Sequence, residues 1–162
     1  GVYAIGDVTT APCLAHKASH QGIIVAEKIS GKKVNKFLKD EDIPSCTYSN
    51  PQIASIGLTE EKAKQQGYDV NIGNFPFTAN GKALALGEDE GFIKTIFDKN
   101  TGELLGAHLV GAEVTELIST YIVGKGLETT PDEFLSNIFP HPTMSEMLYE
   151  SVLSSESKAI HY

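Results

Sequence analysis

Phe92-Ile93-Lys94-Thr95-Ile96-Phe97, then Asp98-Lys99-Asn100-Thr101-Gly102, then Leu104-Leu105-Gly106-Ala107-His108-Leu109-Val110 is the stretch whose reading decides the fold. Two apolar runs of strand length flank five turn-forming residues, which predicts an antiparallel hairpin. Working outward, Cys46-Thr47-Tyr48 and residues 54–58 are strand candidates separated by the turn signal Asn50-Pro51, and residues 70–77 alternate as a further strand. Thr59 is placed to N-cap a short helix that ends before Gly67, with Glu60 and Glu61 suited to its dipole. Downstream, Val114, Leu117, Ile118, Tyr121 and Ile122 repeat at helical spacing up to Gly124 and Gly126. Thr130-Pro131-Asp132-Glu133 opens another short helix with proline at its first position. A final helix follows Pro142, and the polar tail from Ser154 is expected to be loosely held. Strands before helices, joined by hairpins rather than crossovers, predict an α+β domain over residues 45–162: an antiparallel sheet with helices.

Residues 1–31 follow a different pattern. Val2-Tyr3-Ala4-Ile5 is predicted to be a short buried strand, with Gly6-Asp7 as the turn leaving it. Pro12 precedes a helical stretch in which Leu14, Ala18, Gly22, Val25 and Ile29 share a face, and Gly31 is the expected C-cap. A buried parallel strand needs neighbours on both sides, so this strand–loop–helix unit is expected to be the terminal piece of another fold. Residues 32–44, charged and closed by Pro44, are predicted to be a linker.

Composition narrows the function classes. The chain has 162 residues, 41% of them apolar, which suits a globular domain with a real core. A formal charge of −8 argues against nucleic acid as a partner, because phosphate binding needs a basic face. No apolar run approaches the roughly 18 residues of a membrane span, and residues 1–7 lack the basic and apolar regions of a signal peptide. Cys13 and Cys46 match no metal-ligand or C-x-x-C spacing, so no metal site is expected and both are read as reduced and structural.

Three segments could carry chemistry. In Phe139-Pro140-His141-Pro142-Thr143-Met144-Ser145-Glu146, prolines bracket the histidine and hold it out of the helix that follows. Thr143 and Glu146 have the spacing of a capping box, with Thr143 as N-cap. The same spacing allows Glu146 to fix the tautomer of His141 and leave its other nitrogen as a base near neutral pH. Spacing alone favours the cap. Asp7 ends a predicted strand where doubly wound sheets bind ligands, and could accept hydrogen bonds from a polyol. Cys13-Leu14-Ala15-His16 opens the first helix, where backbone N–H groups and the dipole suit an electron-rich carbonyl or an anion. Each of the last two has a bland reading, a turn aspartate and an ordinary helix end.

Taken in order, these segments resemble the flavoprotein disulfide reductases, and most closely the branch that oxidises dihydrolipoamide. Tyr3-Ala4-Ile5-Gly6-Asp7 looks like the family's second FAD motif, and Leu14-Ala15-His16-Lys17-Ala18 like the helix start beside the flavin. Residues 48–60 resemble the opening of the dimerisation domain, and His141-Pro142-Thr143 with Ser145-Glu146 the active-site signature. The resemblance implies that Asp7 binds the ribityl chain of FAD and that the backbone of Leu14 and Ala15 faces the flavin. It also implies that His141 is the acid–base residue, oriented by Glu146, in an oxidation of dihydrolipoamide that passes electrons through FAD to NAD⁺. In such a family the histidine acts at the partner subunit's site, so a homodimer is implied. Lipoyl domains of 2-oxo acid dehydrogenase or glycine cleavage complexes would be further partners, in a bacterial cytoplasm or a mitochondrial matrix.

The same resemblance divides the chain into residues 1–31, the C-terminal remnant of an FAD-binding domain, a linker at 32–44, and the dimerisation domain at 45–162. Departures are noted. No Gly-x-Gly-x-x-Gly and no closely spaced cysteine pair is present, and Gln52 stands where the family more often has glutamate. The isolated chain is therefore expected to dimerise but to be inactive and to retain no flavin. Met147 follows Glu146 where glutathione-type reductases usually carry a second glutamate, which favours the lipoamide branch. A glutathione-type enzyme and a non-catalytic dimerisation module are the alternatives. His16, His20, His108 and His161 are read as structural or surface residues, with His16 closest to the expected flavin.

Overall fold

The computed structural model describes residues 1–34 and 39–162. Contacts divide the chain into two compact units, Gly1–Ile43 and Pro44–Tyr162.

The larger unit is built on a five-stranded sheet in the order β1-β2-β5-β4-β3, with every described pairing antiparallel. Its strands are β1 (Ser45–Thr47), β2 (Gln52–Gly57), β3 (Val70–Pro76), β4 (Phe92–Asp98) and β5 (Leu104–Gly111). The α+β architecture expected from the hairpin is thus the one observed. The β4–β5 turn closes through Asp98, whose carboxylate accepts from the Asn100 N–H at 3.2 Å and the Thr101 hydroxyl at 2.9 Å. An irregularity between Ile96 and Phe97 shifts the register beside this turn, as a bulge does by inserting an extra residue.

Alternation along the strands sorts side chains between two faces. On one face Ala54, Ile56, Phe75, Ile93, Ala107 and Leu109 are buried in the main core. Helices α4 (Val114–Gly126), α5 (Pro131–Leu135) and α6 (Glu146–Ser155) contribute Ile118, Tyr121, Phe134, Met147, Leu148 and Val152 to that core. The other face carries a smaller cluster of Leu58, Ala63, Val70, Ile96 and Leu105, covered in part by α2 (Glu60–Gln65). Thr59 caps α2 as expected, its side chain accepting from the Lys62 N–H at 3.2 Å. Thr130 also lies where a capping box puts it, its N–H donating to the Glu133 carboxylate at 2.8 Å.

Helix α6 is fixed to the sheet more tightly than apolar packing alone would fix it. The Thr95 hydroxyl of β4 donates to the Ser151 carbonyl at 3.2 Å, and the Tyr121 hydroxyl of α4 donates to the Leu148 carbonyl at 3.1 Å. Tyr121 is fully buried, and that burial pushes its phenol well above the ordinary range. Gly73 of β3 supplies the space. A Cβ at that position would lie 1.8 Å from the Ser151 carbonyl oxygen, so only glycine lets the helix backbone come this close. Met147, Leu148 and Val152 are each completely buried, and burial of such side chains stabilises by about 1.5–3 kcal/mol apiece.

Two expectations are corrected in this unit. The helix expected directly after Pro142 starts at Glu146, so Thr143 is not its N-cap, and Ser145 occupies that place without a side-chain cap bond. The tail from Ser154 is not loose. The His161 ring meets the buried Glu150 carboxylate at 2.6 Å, the Ile160 N–H donates to the same carboxylate at 3.0 Å, and Tyr162 stacks edge-on against Phe75. A buried carboxylate needs partners, and here the tail provides them. The short helix α3 (Gly81–Leu86) went unforeseen, although Asn80 before it and Gly87 after it are ordinary cap residues.

In the smaller unit, residues 2–5 are not the buried strand that was expected. Ile5 has extended dihedrals, but no strand is present among the described residues of Gly1–Ile43, and Val2 is fully exposed. The physical reason is that a strand is stabilised by its ladder, and no second strand occurs among the described residues of this unit. Gly6–Val8 forms a 3₁₀ turn, followed by α1 (Ala15–Ile29), with Gly31 beyond it at φ +77°. Residues 35–38 of the expected linker lie outside the described residues.

Candidate active site

The approach to α6 holds the strongest constellation. Residues 136–145 run without regular helix or strand from α5 to α6 and present His141 with 79% of its side chain exposed. Its Nδ1 lies 2.9 Å from Glu146 Oε1. The other oxygen, Glu146 Oε2, accepts from the Thr143 N–H at 2.8 Å. Thr143 turns its hydroxyl away from the helix and donates to the Pro140 carbonyl at 2.7 Å. The carboxylate therefore takes the Thr143 N–H with one oxygen and the histidine with the other. The spacing brings Glu146 to His141, while the capping box with Thr143 as N-cap is not formed.

Electrostatics follow from these contacts. Partial burial pushes the Glu146 carboxyl up, but the Thr143 N–H, the His141 ring and the nearby His161 outweigh it and hold it below its ordinary 4.5. An ionised carboxylate only accepts, so Nδ1 of His141 carries the shared hydrogen and, in the neutral ring, Nε2 keeps its lone pair. That is the arrangement of a base with an orienting partner. The depressed carboxyl also has a stability consequence. Its contribution is complete above about 4.5, the unfolded value, and is lost as pH falls through the lower folded value. In a carboxyl NMR titration Glu146 is expected to titrate below the ordinary glutamate value of 4.5, and Glu146→Gln to flatten the acid side of the stability profile. A titration of Glu146 at the ordinary glutamate position, with Glu146→Gln leaving the profile unchanged, would contradict the pairing.

His141 and Glu146 line a cleft of about 490 Å³, walled on its apolar side by Phe75, Ile138, Phe139 and Tyr149. His161 and Glu150 line the same cleft. His161, expected as a structural or surface residue, is exposed and also lines this cleft. No local sequence signal marks it, because its partner is set by where the tail lands. Asn80 also reaches this cleft, and its signal was the unclaimed helix start at α3. Met147, beside Glu146, is buried in the core, so the next position offers the cleft no second carboxylate.

The other sequence candidates lie in the smaller unit. Asp7 is exposed within the 3₁₀ turn, and that turn is tied to α1. The Gly6 N–H donates to Gln21 Oε1 at 2.7 Å, and the buried Lys17 ammonium donates to the Thr10 carbonyl. Leu14 opens α1 without a side-chain cap. The candidates for a polyol and for an electron-rich carbonyl or anion, Asp7 and the uncapped start of α1, thus lie within one small unit. Among the described residues no cluster of potential metal ligands occurs. Cys13 and Cys46 carry no disulfide, and burial, aided by the charge of Glu116, pushes the Cys46 thiol up and away from the reactive thiolate. His108 Nε2 donates to the Leu58 carbonyl at 3.0 Å, and Gln52 accepts from Thr115 at the start of α4. Both serve the fold. No described helix is long and apolar enough to cross a membrane.

The family model described as pyridine nucleotide-disulphide oxidoreductase, dimerisation domain, matches residues 43–152. A dihydrolipoyl dehydrogenase of Zymomonas mobilis is 62% identical over 161 residues, which are 99% of this chain and 34% of that protein. Proteins of the same name from Rhizobium etli and Bacillus subtilis are 56% and 47% identical over the same shares. The chain thus spans 34% of the length of these relatives. Among solved structures, the HOCl-induced flavoprotein disulfide reductase RclA of Escherichia coli superposes with a TM-score of 0.83 at 27% identity, over 90% of this chain and 34% of that one. LpdA of Mycobacterium tuberculosis shares the fold, with a TM-score of 0.87 at 24% identity over 93% and 32% of the two chains.

Proposed function

The chain belongs to the pyridine nucleotide-disulphide oxidoreductases, whose dimerisation domain it carries, and from that premise we propose that it is the C-terminal part of a dihydrolipoyl dehydrogenase. One observation carries this: an exposed imidazole, held at 2.9 Å by a carboxylate, stands at an apolar-walled cleft. The aliphatic arm of dihydrolipoamide suits such walls, and its thiols need a base.

In this proposal His141 Nε2 takes the proton from a thiol of dihydrolipoamide, and Glu146 holds the ring in the required tautomer and stabilises the imidazolium. The thiolate, which is the nucleophile, attacks one sulfur of a redox disulfide. A mixed disulfide forms and the other sulfur leaves with the electron pair. The redox disulfide belongs to the partner subunit, so the active form is a homodimer. Exposed apolar side chains of the larger unit, Leu127 at 74% and Ile138 at 98% among them, support an interface on this unit. Asp7 would hold the ribityl chain of FAD, with the backbone of Leu14 and Ala15 toward its ring. When bound, FAD supplies a two-electron acceptor, and NAD⁺ is the substrate that finally receives the electrons. Lipoyl domains of 2-oxo acid dehydrogenase or glycine cleavage complexes are the proposed protein partners, in a bacterial cytoplasm or a mitochondrial matrix.

The test is a chimera in which this chain replaces the matching stretch of the Zymomonas mobilis relative. It is expected to bind flavin, sediment as a dimer and reduce NAD⁺ with dihydrolipoamide. The chain alone is expected to dimerise, with no flavin band and no turnover. A flavin-loaded chimera that prefers glutathione would move the proposal to the glutathione-type branch. A flavin-loaded chimera inactive on every dithiol would reduce this chain to a non-catalytic dimerisation module.

A further inference from the structure

The structure assigns to Asn80 the role of a positioning residue for the His141–Glu146 pair, an inference that rests on the acid–base role proposed for His141. Asn80 is 5% exposed and uses both ends of its amide. Its Oδ1 accepts from the Ala83 N–H at 2.8 Å and so caps α3. Its Nδ2 donates to the Thr143 carbonyl at 3.2 Å, across 63 residues of sequence. Thr143 is also the residue whose N–H holds Glu146 Oε2 at 2.8 Å. Three bonds therefore run in series from the end of α3 to the imidazole: Asn80 to Thr143, Thr143 to Glu146, Glu146 to His141.

The geometry gives this series a purpose. Residues 138–143 have neither helix nor ladder to set their backbone. The bond from Thr143 to Pro140 is local and moves with the loop, whereas Asn80 is anchored outside it. Pinning the Thr143 carbonyl limits rotation of this residue, and its N–H then presents to Glu146 in one direction. Glu146 is left with its second oxygen aimed at His141. Without the outside anchor, the carboxylate keeps its charge but loses a fixed orientation, and with it control of the imidazole tautomer. The hydrogen bonds of the Asn80 side chain go to Ala83 and Thr143, so its link to the imidazole runs through Thr143.

The test uses the 162-residue chain with ¹⁵N-labelled histidine, in long-range ¹H–¹⁵N spectra taken at a pH where imidazoles are neutral. In the unaltered chain His141 is expected mainly as the Nδ1–H tautomer. Asn80→Ser keeps an oxygen suited to capping α3 but is too short to reach Thr143. Asn80→Asp keeps the cap and turns an acceptor toward the Thr143 carbonyl. Both are expected to stay folded and to lower the Nδ1–H to Nε2–H ratio of His141 several-fold. The ratio for His161, paired with Glu150, should not move. An unchanged His141 ratio in either folded variant would overturn the role of Asn80. So would unfolding of both variants, which would make Asn80 a support of the fold alone. A mixed tautomer in the unaltered chain would instead remove the His141–Glu146 pairing on which the proposed function rests.

Discussion

Replacing His141 by alanine in the chimera is expected to lower kcat for dihydrolipoamide by about 10²–10⁴, the range supplied by a positioned general base. The change should leave the fold alone. His141 has 79% of its side chain exposed, and surface substitutions of this kind usually shift stability by no more than about 0.5 kcal/mol. Flavin content, dimer sedimentation and melting temperature should therefore match the unaltered chimera while turnover falls. Raising the pH supplies thiolate without a base, so the deficit should shrink in alkaline buffer. Glu146→Gln should have a smaller effect, since it keeps an acceptor for His141 but removes the charge that stabilises the imidazolium. The two changes made together should cost little more than His141→Ala alone, because Glu146 acts through the ring. A fall in kcat of less than about tenfold for His141→Ala would show that the thiol loses its proton to another group.

Gly73→Val is expected to be the most damaging single substitution in the larger unit. A Cβ there would sit 1.8 Å from the Ser151 carbonyl oxygen and 2.5 Å from Thr95 Oγ1. Neither atom can retreat cheaply. The carbonyl belongs to the backbone of α6, and Thr95 is the residue that bonds it. Relief requires α6 to lift away from β3, which exposes Met147, Leu148 and Val152 and breaks the Tyr121 bond to Leu148. The cost should exceed about 4–5 kcal/mol, the exceptional end of single substitutions, against a total domain stability of about 5–15 kcal/mol. Urea unfolding of the chain is the direct measurement. Gly73→Ala should already shift the midpoint strongly, and Gly73→Val should leave little folded protein. A shift of less than about 1 kcal/mol for Gly73→Ala would mean that the helix is not in close contact with the sheet. Any folded Gly73→Ala protein should also show a disturbed His141 tautomer, because α6 carries Glu146.

How much was legible in the sequence depends on the range of the interaction. The hairpin of β4 and β5, the α4 helix and the caps at Thr59 and Thr130 were all readable, because each is written within a few consecutive residues. Periodicity of apolar residues and turn chemistry are local properties, whereas the pairing of β2 with β5 joins strands that no hairpin connects and was not legible. His141 and Glu146 were readable for the same reason: five positions separate them, so both candidate uses of the carboxylate could be stated beforehand. Tertiary structure decided how the carboxylate is shared. It assigned one oxygen to Thr143 and the other to His141, and it turned the Thr143 hydroxyl back to Pro140.

Other outcomes lay outside what local pattern can express. Residues 2–5 have strand-like composition, yet remain exposed, because a strand exists only with a ladder partner and none is present among the described residues of Gly1–Ile43. The tail from Ser154 is polar and looks unattached, yet it closes on Glu150, because a buried carboxylate 11 residues upstream of His161 needs a partner. Asn80 has an ordinary cap signature, and nothing near it in sequence announces Thr143. Local pattern was enough for the class of fold, for most elements of the larger unit though not α3, and for the pairing of a histidine with a glutamate. Only the tertiary structure decided how closely α6 meets the sheet at Gly73 and which distant groups hold the pair in place. Burial and hydrogen-bond satisfaction couple residues through space, and spacing along the chain does not encode those distances.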